Sequence, residues 1–297
     1  KKNFSKFDIC DYFEGDKMAS IKTNVMAYQA ETSLKRTNKE MTVAMERLAS
    51  GLKINRAGDD PAGLAISNRM TAQIKGYEMA ASHANDAMAM LQTVEGALTE
   101  IDRLMQRMRE LAVQAQSETF NANDRSAADA EYQQLEAEIS RIVTDTKWNT
   151  MAVLDGTGGK GTTGTFVIQV GADSGMTVDV KIGTVGIKVG GSLVDISAAN
   201  ILSQAGASLA TAKIDSSINT LNVKRADVGA YLNRLQGALD NALSMAQNLT
   251  DSRSRILDTD YAEELAQLAR LQIIQQAGNA MLAQANAQPQ GVLALLQ

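Results

Sequence analysis

Residues 231–297 read YLNRLQGALDNALSMAQNLTDSRSRILDTDYAEELAQLARLQIIQQAGNAMLAQANAQPQGVLALLQ, and this stretch decides the fold. Counting from three residues before it, a seam of residues recurs at alternating steps of four and three, as in a coiled coil. Its members, all apolar except one arginine, are Val228, Leu232, Leu235, Leu239, Ala242, Ala246, Leu249, Arg253 and Ile256. A helix with so narrow a seam cannot bury itself alone, so we expect it to pair with other helices.

The N-terminal third has a matching pattern. A helix is predicted from Ile21 to about Ser50, and its apolar face contains Met41, Met45, Leu48 and Leu52. The sequence GLKINRAGDDPAG, residues 51–63, then breaks the helix. Pro61 suits the first turn of the next helix, and Asp59 or Asp60 is expected to cap it.

The second predicted helix, about residues 62–117, is unusually long. Its seam consists of Met70, Ile74, Tyr77, Ala81, Ala84, Met88, Leu91, Val94, Leu98, Ile101, Met105, Met108 and Ala112. A helix of ~55 residues spans ~80 Å, which predicts a rod. A third helix is predicted to begin at NANDRS, with Asn123 or Asp124 as its cap. One face of that helix presents Tyr132, Leu135, Ile139, Ile142 and Val143.

The middle of the chain changes to Gly, Thr and Val, and β-type runs appear at TFVIQV (165–170), MTVDVKI (176–182) and VGIKV (185–189). GADSG (171–175) is predicted to join the first two as a hairpin. From about residue 200 the helical pattern returns, interrupted near LDTD (257–260). The predicted fold is mainly α, with long antiparallel helices in an elongated coiled-coil rod and a small β-hairpin region at about 150–195.

Composition excludes several classes of function. The net charge of −5 and a pI near 5.1 argue against nucleic acid as a partner. No apolar run approaches the ~20 residues of a membrane helix, so no membrane partner is expected. The only cysteine, Cys10, allows no intramolecular disulfide and no cysteine zinc site. Residues 1–17 differ in character from the rest of the chain; a tag, a mis-set start before Met18 and an unusual extension remain open.

No motif supports catalysis or a cofactor. The run from Gly156 to Gly161 fits GxGxxG, but a β-type run comes after it where a dinucleotide site needs a helix. Lys160 precedes a glycine, not the Ser or Thr of a phosphate-binding loop. A single histidine, His83, is too few for a histidine zinc motif. We therefore expect a structural protein with no catalytic residue, cofactor or metal.

Three blocks of the sequence together resemble bacterial flagellin, the subunit of the flagellar filament. They are LASGLKINRAGDDPAGLAISNRM (48–70), QRMRELAVQA (106–115) and RADVGAYLNRL (225–235), the last continuing through SRSRILDTDYAEE (252–264) and QANAQPQGVLALLQ (284–297). The segment VIQVGADSGMTVDV (167–180) is similar to the β-hairpin of the family. The resemblance covers nearly all of residues 18–297, and residues 1–17 have no counterpart in it.

The resemblance implies a minimal flagellin without large outer domains. Residues 18–55 and 260–297 would form the terminal inner coiled-coil domain, and residues 56–259 the rod-like helical domain. The assembly residues implied are Leu48, Leu52, Leu265, Leu268, Leu293, Leu295 and Leu296. Members of the family are exported unfolded and polymerise outside the cell beneath a cap. The implied partners are other copies of the chain, an export chaperone, and the cap and hook-associated proteins.

Three alternatives compete with a filament subunit. A hook–filament junction protein shares flagellin-like ends, but the fit of QRMRELAVQ and the short middle favour flagellin. A flagellin with an inserted metallopeptidase would need HExxH, which the sequence lacks. A generic coiled-coil scaffold would explain the seams but not the three blocks.

The resemblance also implies a vertebrate partner, the innate receptor Toll-like receptor 5. Carried over residue by residue, its contacts would be Arg107, Leu111 and Gln114, with Glu138 beside them on the neighbouring helix. The first three lie at i, i+4 and i+7, which places them on one helical face. The same face would also suit packing against the next subunit of a filament.

Overall fold

The computed structural model describes residues 24–159, 164–183 and 200–294, with backbone only for 288–294. Within these ranges the chain is mainly α, as predicted. Its elements are α1 (Val25–Ser50), α2 (Pro61–Ala115), α3 (Ala122–Asp145), β1 (Lys147–Trp148), β2 (Met151–Ala152), β3 (Thr165–Gln169), β4 (Thr177–Lys181), α4 (Gln204–Leu257) and α5 (Tyr261–Ala294). They form two compact units, one from the described residues up to 67 and from 253 onward, the other from those between 68 and 252.

Helix α1 is closed at both ends by local chemistry. The side chain of Asn24 accepts a hydrogen bond from the Ala27 amide at 3.0 Å and thus satisfies one free amide of the first turn. Gly51 ends the helix with φ = 72°, a left-handed conformation that glycine adopts without a steric penalty. Its amide donates to the Arg47 carbonyl at 2.8 Å.

Two adjacent aspartates organise the loop between α1 and α2. The Asp59 carboxylate accepts from the backbone amides of Arg56 at 2.9 Å and Asn55 at 3.0 Å, and these bonds hold its pKa below the ordinary value. Asp60 accepts from the amides of Ala62 and Gly63, both at 3.0 Å, and caps α2. Of the two predicted caps, Asp60 is therefore confirmed.

The two breaks between helices are hydrogen-bonded to each other. Leu52 lies opposite Asp258 in an isolated antiparallel bridge. The Lys53 amide donates to the Leu257 carbonyl at 2.7 Å, and the Thr259 amide donates to the Gly51 carbonyl at 3.0 Å. The interruption at LDTD is thus confirmed, and it is joined to the break after α1.

The predicted cap of α3 is wrong. Asn121, not Asn123 or Asp124, occupies the cap position and accepts from the amides of both later residues. Asp124 returns the interaction by accepting from the Asn121 amide at 3.1 Å, which completes a capping box. Arg125 then donates to the Ala115 carbonyl at 2.9 Å and satisfies an acceptor left free at the end of α2.

The hairpin predicted from 165–182 is confirmed. Strands β3 and β4 are antiparallel, with Thr165 opposite Lys181 and Gln169 opposite Thr177. A shorter pair, β1 and β2, was not predicted. The third β-type run, VGIKV (185–189), lies outside the described residues.

The unit between residues 68 and 252 is built around the seam of α2. All thirteen predicted seam residues of α2 are buried or half-buried. Ile139 of α3, Phe166 of β3 and Ile214 of α4 belong to the same hydrophobic core as Leu98. Burial of these apolar side chains away from water is the main stabilising contribution to the unit.

A buried aspartate anchors the chain just before α4. Asp129 is only 4% exposed, and its carboxylate accepts from the Ile201 amide at 2.9 Å and from the Gln133 side chain at 2.7 Å. A buried carboxylate is tolerated because it is hydrogen-bonded. Next to it, burial, with the charges of Glu136 and Asp129 adding, raises the pKa of the Tyr132 phenol.

Candidate functional site

The first candidate surface belongs to the pair formed by α1 and α5. The Asn24 side chain donates to the Ala285 carbonyl at 2.7 Å at one end of the pair. Farther along, Gln275 donates to the Asn38 side chain, also at 2.7 Å. As residue numbers rise in α1 they fall in α5, so the two helices are antiparallel.

Each helix of the pair uses a seam of alternating three- and four-residue steps. In α1 the seam residues are Ala27, Ala30, Leu34, Thr37, Met41, Ala44 and Leu48, and in α5 they are Glu264, Leu268, Leu271, Gln275, Gly278, Leu282 and Ala285. All are buried or half-buried, and every other position from 261 to 287 is exposed. The contact is therefore a narrow two-helix seam.

The predicted assembly residues differ in their surroundings. Leu48, Leu52 and Leu268 are half-buried within the compact unit that contains α1 and α5. Leu265 is 54% exposed. Leu295 and Leu296 lie outside the described residues, and Leu293 lies where only the helical backbone is described.

Helix α5 is apolar on sides that α1 does not cover. Leu265, Ile273 and Met281 are 54%, 67% and 64% exposed and point in different directions around the helix. Arg270 is the only charged residue after Glu264. Exposed large apolar side chains on several sides of a helix mark candidate contact surfaces, so the free faces of α5 are candidates for contact with further helices.

The second candidate surface is the proposed receptor patch on α2. Arg107 is exposed, and its guanidinium donates to Glu131 of α3 and to Glu110, both at 2.9 Å. Glu131 was not identified from the sequence. The turn between α2 and α3 sets how the two helices are aligned, and the length of the turn alone does not tell which residues of α3 lie opposite Arg107.

The structure does not expose all of the predicted patch. Arg107 and Gln114 are exposed, but Leu111 is only 3% exposed and belongs to the hydrophobic core. The spacing of i, i+4 and i+7 predicted a shared face. It did not show that Leu111 also lies in line with the buried residues Leu104, Met108 and Ala115. The Leu111 side chain therefore packs into the core with them.

Glu138, which was expected to lie beside Arg107, Leu111 and Gln114, forms an ion pair with Arg141 of its own helix. Its carboxylate accepts from Arg141 at 2.8 and 2.6 Å, and these bonds lower its pKa. The charge of Glu138 also acts on Glu100, opposing the pKa decrease that Arg103 causes there. Glu138 therefore lies near Glu100, whereas Glu131 is the α3 carboxylate that contacts Arg107.

Other features of the described residues offer little binding chemistry. An open groove of about 480 Å³ between α2 and the strands is lined mostly by apolar side chains, with His83 and Asp86 among its polar groups. Among the residues described, no three His, Cys, Asp or Glu side chains are grouped to hold a metal ion. In the same ranges, no helix has the length and apolar character needed to cross a bilayer.

Comparison with known proteins gives consistent matches along the chain. Residues 21–158 match the bacterial flagellin N-terminal helical region, and residues 211–296 match the bacterial flagellin C-terminal helical region. The chain is 41% identical over 277 residues to a flagellin of Halalkalibacterium halodurans, covering 93% of this chain and 99% of the relative. It is 38% identical over 303 residues to Bacillus subtilis flagellin, with the same coverage of both chains.

Two further relatives extend the comparison. A flagellar filament 33 kDa core protein of Treponema phagedenis is 38% identical over 284 residues, covering 93% of this chain and 99% of that protein. A crystal structure of Bacillus cereus flagellin is 34% identical and covers 57% of this chain and 93% of that one, with a TM-score of 0.46. The chain therefore belongs to the bacterial flagellin family, whose members are structural subunits of the extracellular flagellar filament and not enzymes.

Proposed function

We propose that this chain polymerises into the flagellar filament through terminal helices whose free faces are covered by neighbouring copies. The observation that carries this proposal is helix α5, which is covered on one side by α1 but exposes Leu265, Ile273 and Met281 on others. Burying one large apolar side chain contributes about 1.5–3 kcal/mol, so these faces favour association. A filament, in which each subunit has several neighbours, can cover them all.

We assign residues 18–55 and 260–297 to a terminal assembly domain and residues 56–259 to a helical domain that folds independently. The division is supported by the two compact units of the structure, in which the terminal unit extends further, up to residue 67 and from residue 253 onward. We further propose that the chain is exported unfolded and bound by a chaperone before assembly beneath a cap, next to hook-associated proteins. The support for these partners is membership of the family.

The experiment that tests polymerisation is seeded growth. Purified chain is mixed with short filament fragments, and growth is followed by light scattering and electron microscopy. Helical filaments are expected. If the chain remains monomeric at every concentration and with every seed, the filament proposal fails and the junction-protein alternative is favoured.

The C-terminal leucines Leu293, Leu295 and Leu296 are proposed to be buried in the filament and covered by the chaperone before export. An exposed apolar tail promotes aggregation, so it needs a partner at both stages. Deleting residues 291–297 is expected to abolish seeded growth without changing the thermal unfolding of the helical domain. Normal filaments from the truncated chain would show that the tail is dispensable.

We also propose that the exposed side of α2 binds Toll-like receptor 5 in the monomer. Arg107 and Gln114 supply exposed polar contacts, and Glu131 lies beside Arg107 at 2.9 Å. Glu138 remains part of the proposed patch and lies near Glu100 of α2. Because Leu111 is buried, we assign it the role of supporting the helix beneath the contact surface.

The receptor proposal is tested by comparing Arg107→Ala with Arg109→Ala in a binding assay. If Arg107 is a hot spot, its loss weakens binding by at least ~1 kcal/mol, about fivefold. Arg109 is a matched control because it is also exposed on α2 and also pairs with a carboxylate of another helix, Asp215 at 2.6 Å, but lies ~200° away around the helix. Equal losses in both variants, or no loss in either, would contradict the proposed patch.

A further inference from the structure

The open groove between α2 and the strands has the size of a small-molecule site. Its volume, about 480 Å³, is within the ~300–1,000 Å³ that such sites occupy. On the α2 side the groove follows one helical face, because the lining residues recur at steps of three and four. We call it the Trp148 groove, and the residues that define it are His83, Asp86 and Met90 of α2 and Trp148, Met151 and Phe166 of the strands.

The charge of the Trp148 groove is concentrated in one residue. Asp86 is exposed, and it is the only charged residue among the described residues that line the groove. Within the described ranges no cation pairs with its carboxylate. Farther along α2, Glu95 and Glu100 each pair with an arginine, at 2.8 and 2.6 Å. An unpaired carboxylate beside apolar walls attracts a cation and repels an anion.

The walls around Asp86 are aromatic and sulfur-containing. Trp148 is half-buried, Phe166 is 6% exposed and Met151 is 44% exposed. The faces of aromatic rings attract cations, Trp most strongly, and proteins use this attraction to bind quaternary ammonium groups. The flexible, polarisable side chain of Met151 can adapt to the shape of an apolar ligand. The groove therefore suits a ligand that has both a positive charge and an apolar body.

A strained turn holds two of these side chains at the groove. Trp148 and Met151 are paired across β1 and β2, and the turn between them has φ = 45° at Asn149 and 69° at Thr150. A positive φ is a genuine outlier for a β-branched residue such as threonine. Strain of this kind is concentrated at functional sites, where it positions the groups that bind a ligand. The turn is thus a feature independent of Asp86 that also marks this groove as a binding site.

We propose that the Trp148 groove binds a small quaternary ammonium compound that has an apolar body. Asp86 is the counter-ion of the ammonium group, and Trp148 and Phe166 contact its methyl groups and the apolar body. An uncharged ligand leaves Asp86 unpaired, and an anion is repelled by it. The proposal does not depend on polymerisation, because the whole groove lies in the compact unit between residues 68 and 252.

The test uses the fluorescence of Trp148, which is the only tryptophan of the chain and therefore reports on this groove alone. Benzyltrimethylammonium is titrated into the full monomeric chain up to ~10 mM, and a saturable change in emission is expected. Choline should compete at least ~5-fold more effectively than its uncharged isostere, in which a tert-butyl group replaces the trimethylammonium group. An emission that does not change, or changes without saturating, would overturn the proposal. Equal competition by choline and its isostere would refute a site for cations.

A substitution of Asp86 gives a second measurement. Asp86→Asn keeps the shape of the side chain and removes its charge, so binding of benzyltrimethylammonium is expected to weaken at least ~5-fold. Glu118→Gln is the matched control, because Glu118 is also exposed and has no ion pair within the described ranges, and we expect a change below ~2-fold. Circular dichroism checks that both variants fold. Unchanged binding by Asp86→Asn, or an equal loss in both variants, would contradict the assignment of Asp86 as the counter-ion.

Discussion

Arg225 of α4 donates two hydrogen bonds to one carboxylate oxygen of Glu95 on α2, at 3.0 and 2.8 Å. The two side chains are 32% and 33% exposed, and the second oxygen of Glu95 is buried with no hydrogen-bond partner among the described residues. Arg225 is the first residue of the block RADVGAYLNRL. One role of that block is therefore to join α4 to α2.

Replacing Arg225 by alanine is expected to destabilise the helical domain by about 1–3 kcal/mol, between the values for exposed and buried ion pairs. The loss arises because the variant leaves Glu95 in a partly buried position without the guanidinium that donates to it. Thermal unfolding measures it, and Glu95→Gln in the same background is the control. The double variant should recover part of the loss; an additive result would mean that the pair contributes no coupling energy.

Gly76 of α2 lies directly beneath the turn of the β3–β4 hairpin. A Cβ atom at Gly76 would lie 2.8 Å from the Cβ of Ala172 and 3.0 Å from its Cα. Gly76→Ala is therefore expected to destabilise the domain by ~1–3 kcal/mol, because the hairpin must move. At Gly96, in the same helix, a Cβ would meet nothing within 4 Å. Gly96→Ala should accordingly stabilise the domain by ~0.5–1 kcal/mol. Equal effects in thermal unfolding would refute this comparison.

Glu136 makes stability depend on pH with an unusual sign. Burial, with the Asp129 charge adding to it, raises the pKa of the Glu136 carboxyl above that in the unfolded chain. The contribution of Glu136 to stability is therefore fully present below the pKa of the unfolded chain, ~4.3. It is lost as the pH rises through the pKa of the folded state. Glu136→Gln should therefore have a higher Tm than the wild type at pH 7, with the advantage vanishing near pH 4.

Glu138 provides a control of opposite sign for this experiment. Hydrogen bonds from Arg141 lower the pKa of its carboxyl, so its contribution is present above the unfolded pKa and lost as pH falls. Glu138→Gln should lower the Tm at pH 7 and leave it unchanged at low pH. Variants at 136 and 138 that changed the Tm in the same direction at pH 7 would contradict the assignment of the two shifts.

The terminal helices are expected to be the first parts of the monomer to be digested. The α1–α5 pair buries only one narrow seam, and isolated helices are marginal in water without tertiary packing. Limited proteolysis should remove about residues 18–55 and 260–297 from the monomer and spare them in filaments. The middle helices serve as the internal control, because their core should resist in both states. Equal digestion of the ends in monomer and filament would contradict the proposed assembly domain.

Periodicity predicted the elements of this fold well. The length of α2, the hairpin and the break before α5 all follow from local patterns, in which each residue constrains its near neighbours. The cap of α3 was missed because Asn121, Asn123 and Asp124 all have suitable side chains. Only the backbone hydrogen bonds, which place Asn121 outside the helix, separate them.

The candidate surfaces depend on how the helices are aligned against one another, and hydrophobic periodicity carries no information about that alignment. Leu111 belongs both to the face of Arg107 and to the row of buried side chains, and the packing of α2 decides between them. The partner of Arg107 depends on how far α3 slides along α2, so Glu131 and Glu138 were indistinguishable in sequence.

The bridge between Leu52 and Asp258 has a consequence for how this chain can evolve. It fixes α1 and α5 to each other at one end, and Asn24 fixes them again at the Ala285 carbonyl. Inserting one residue in either helix would rotate everything beyond it by ~100° and carry the seam away from its partner. An insertion of seven residues restores the seam, but only if the other helix gains the same length. The two ends of the gene are therefore expected to change length together, in whole heptads.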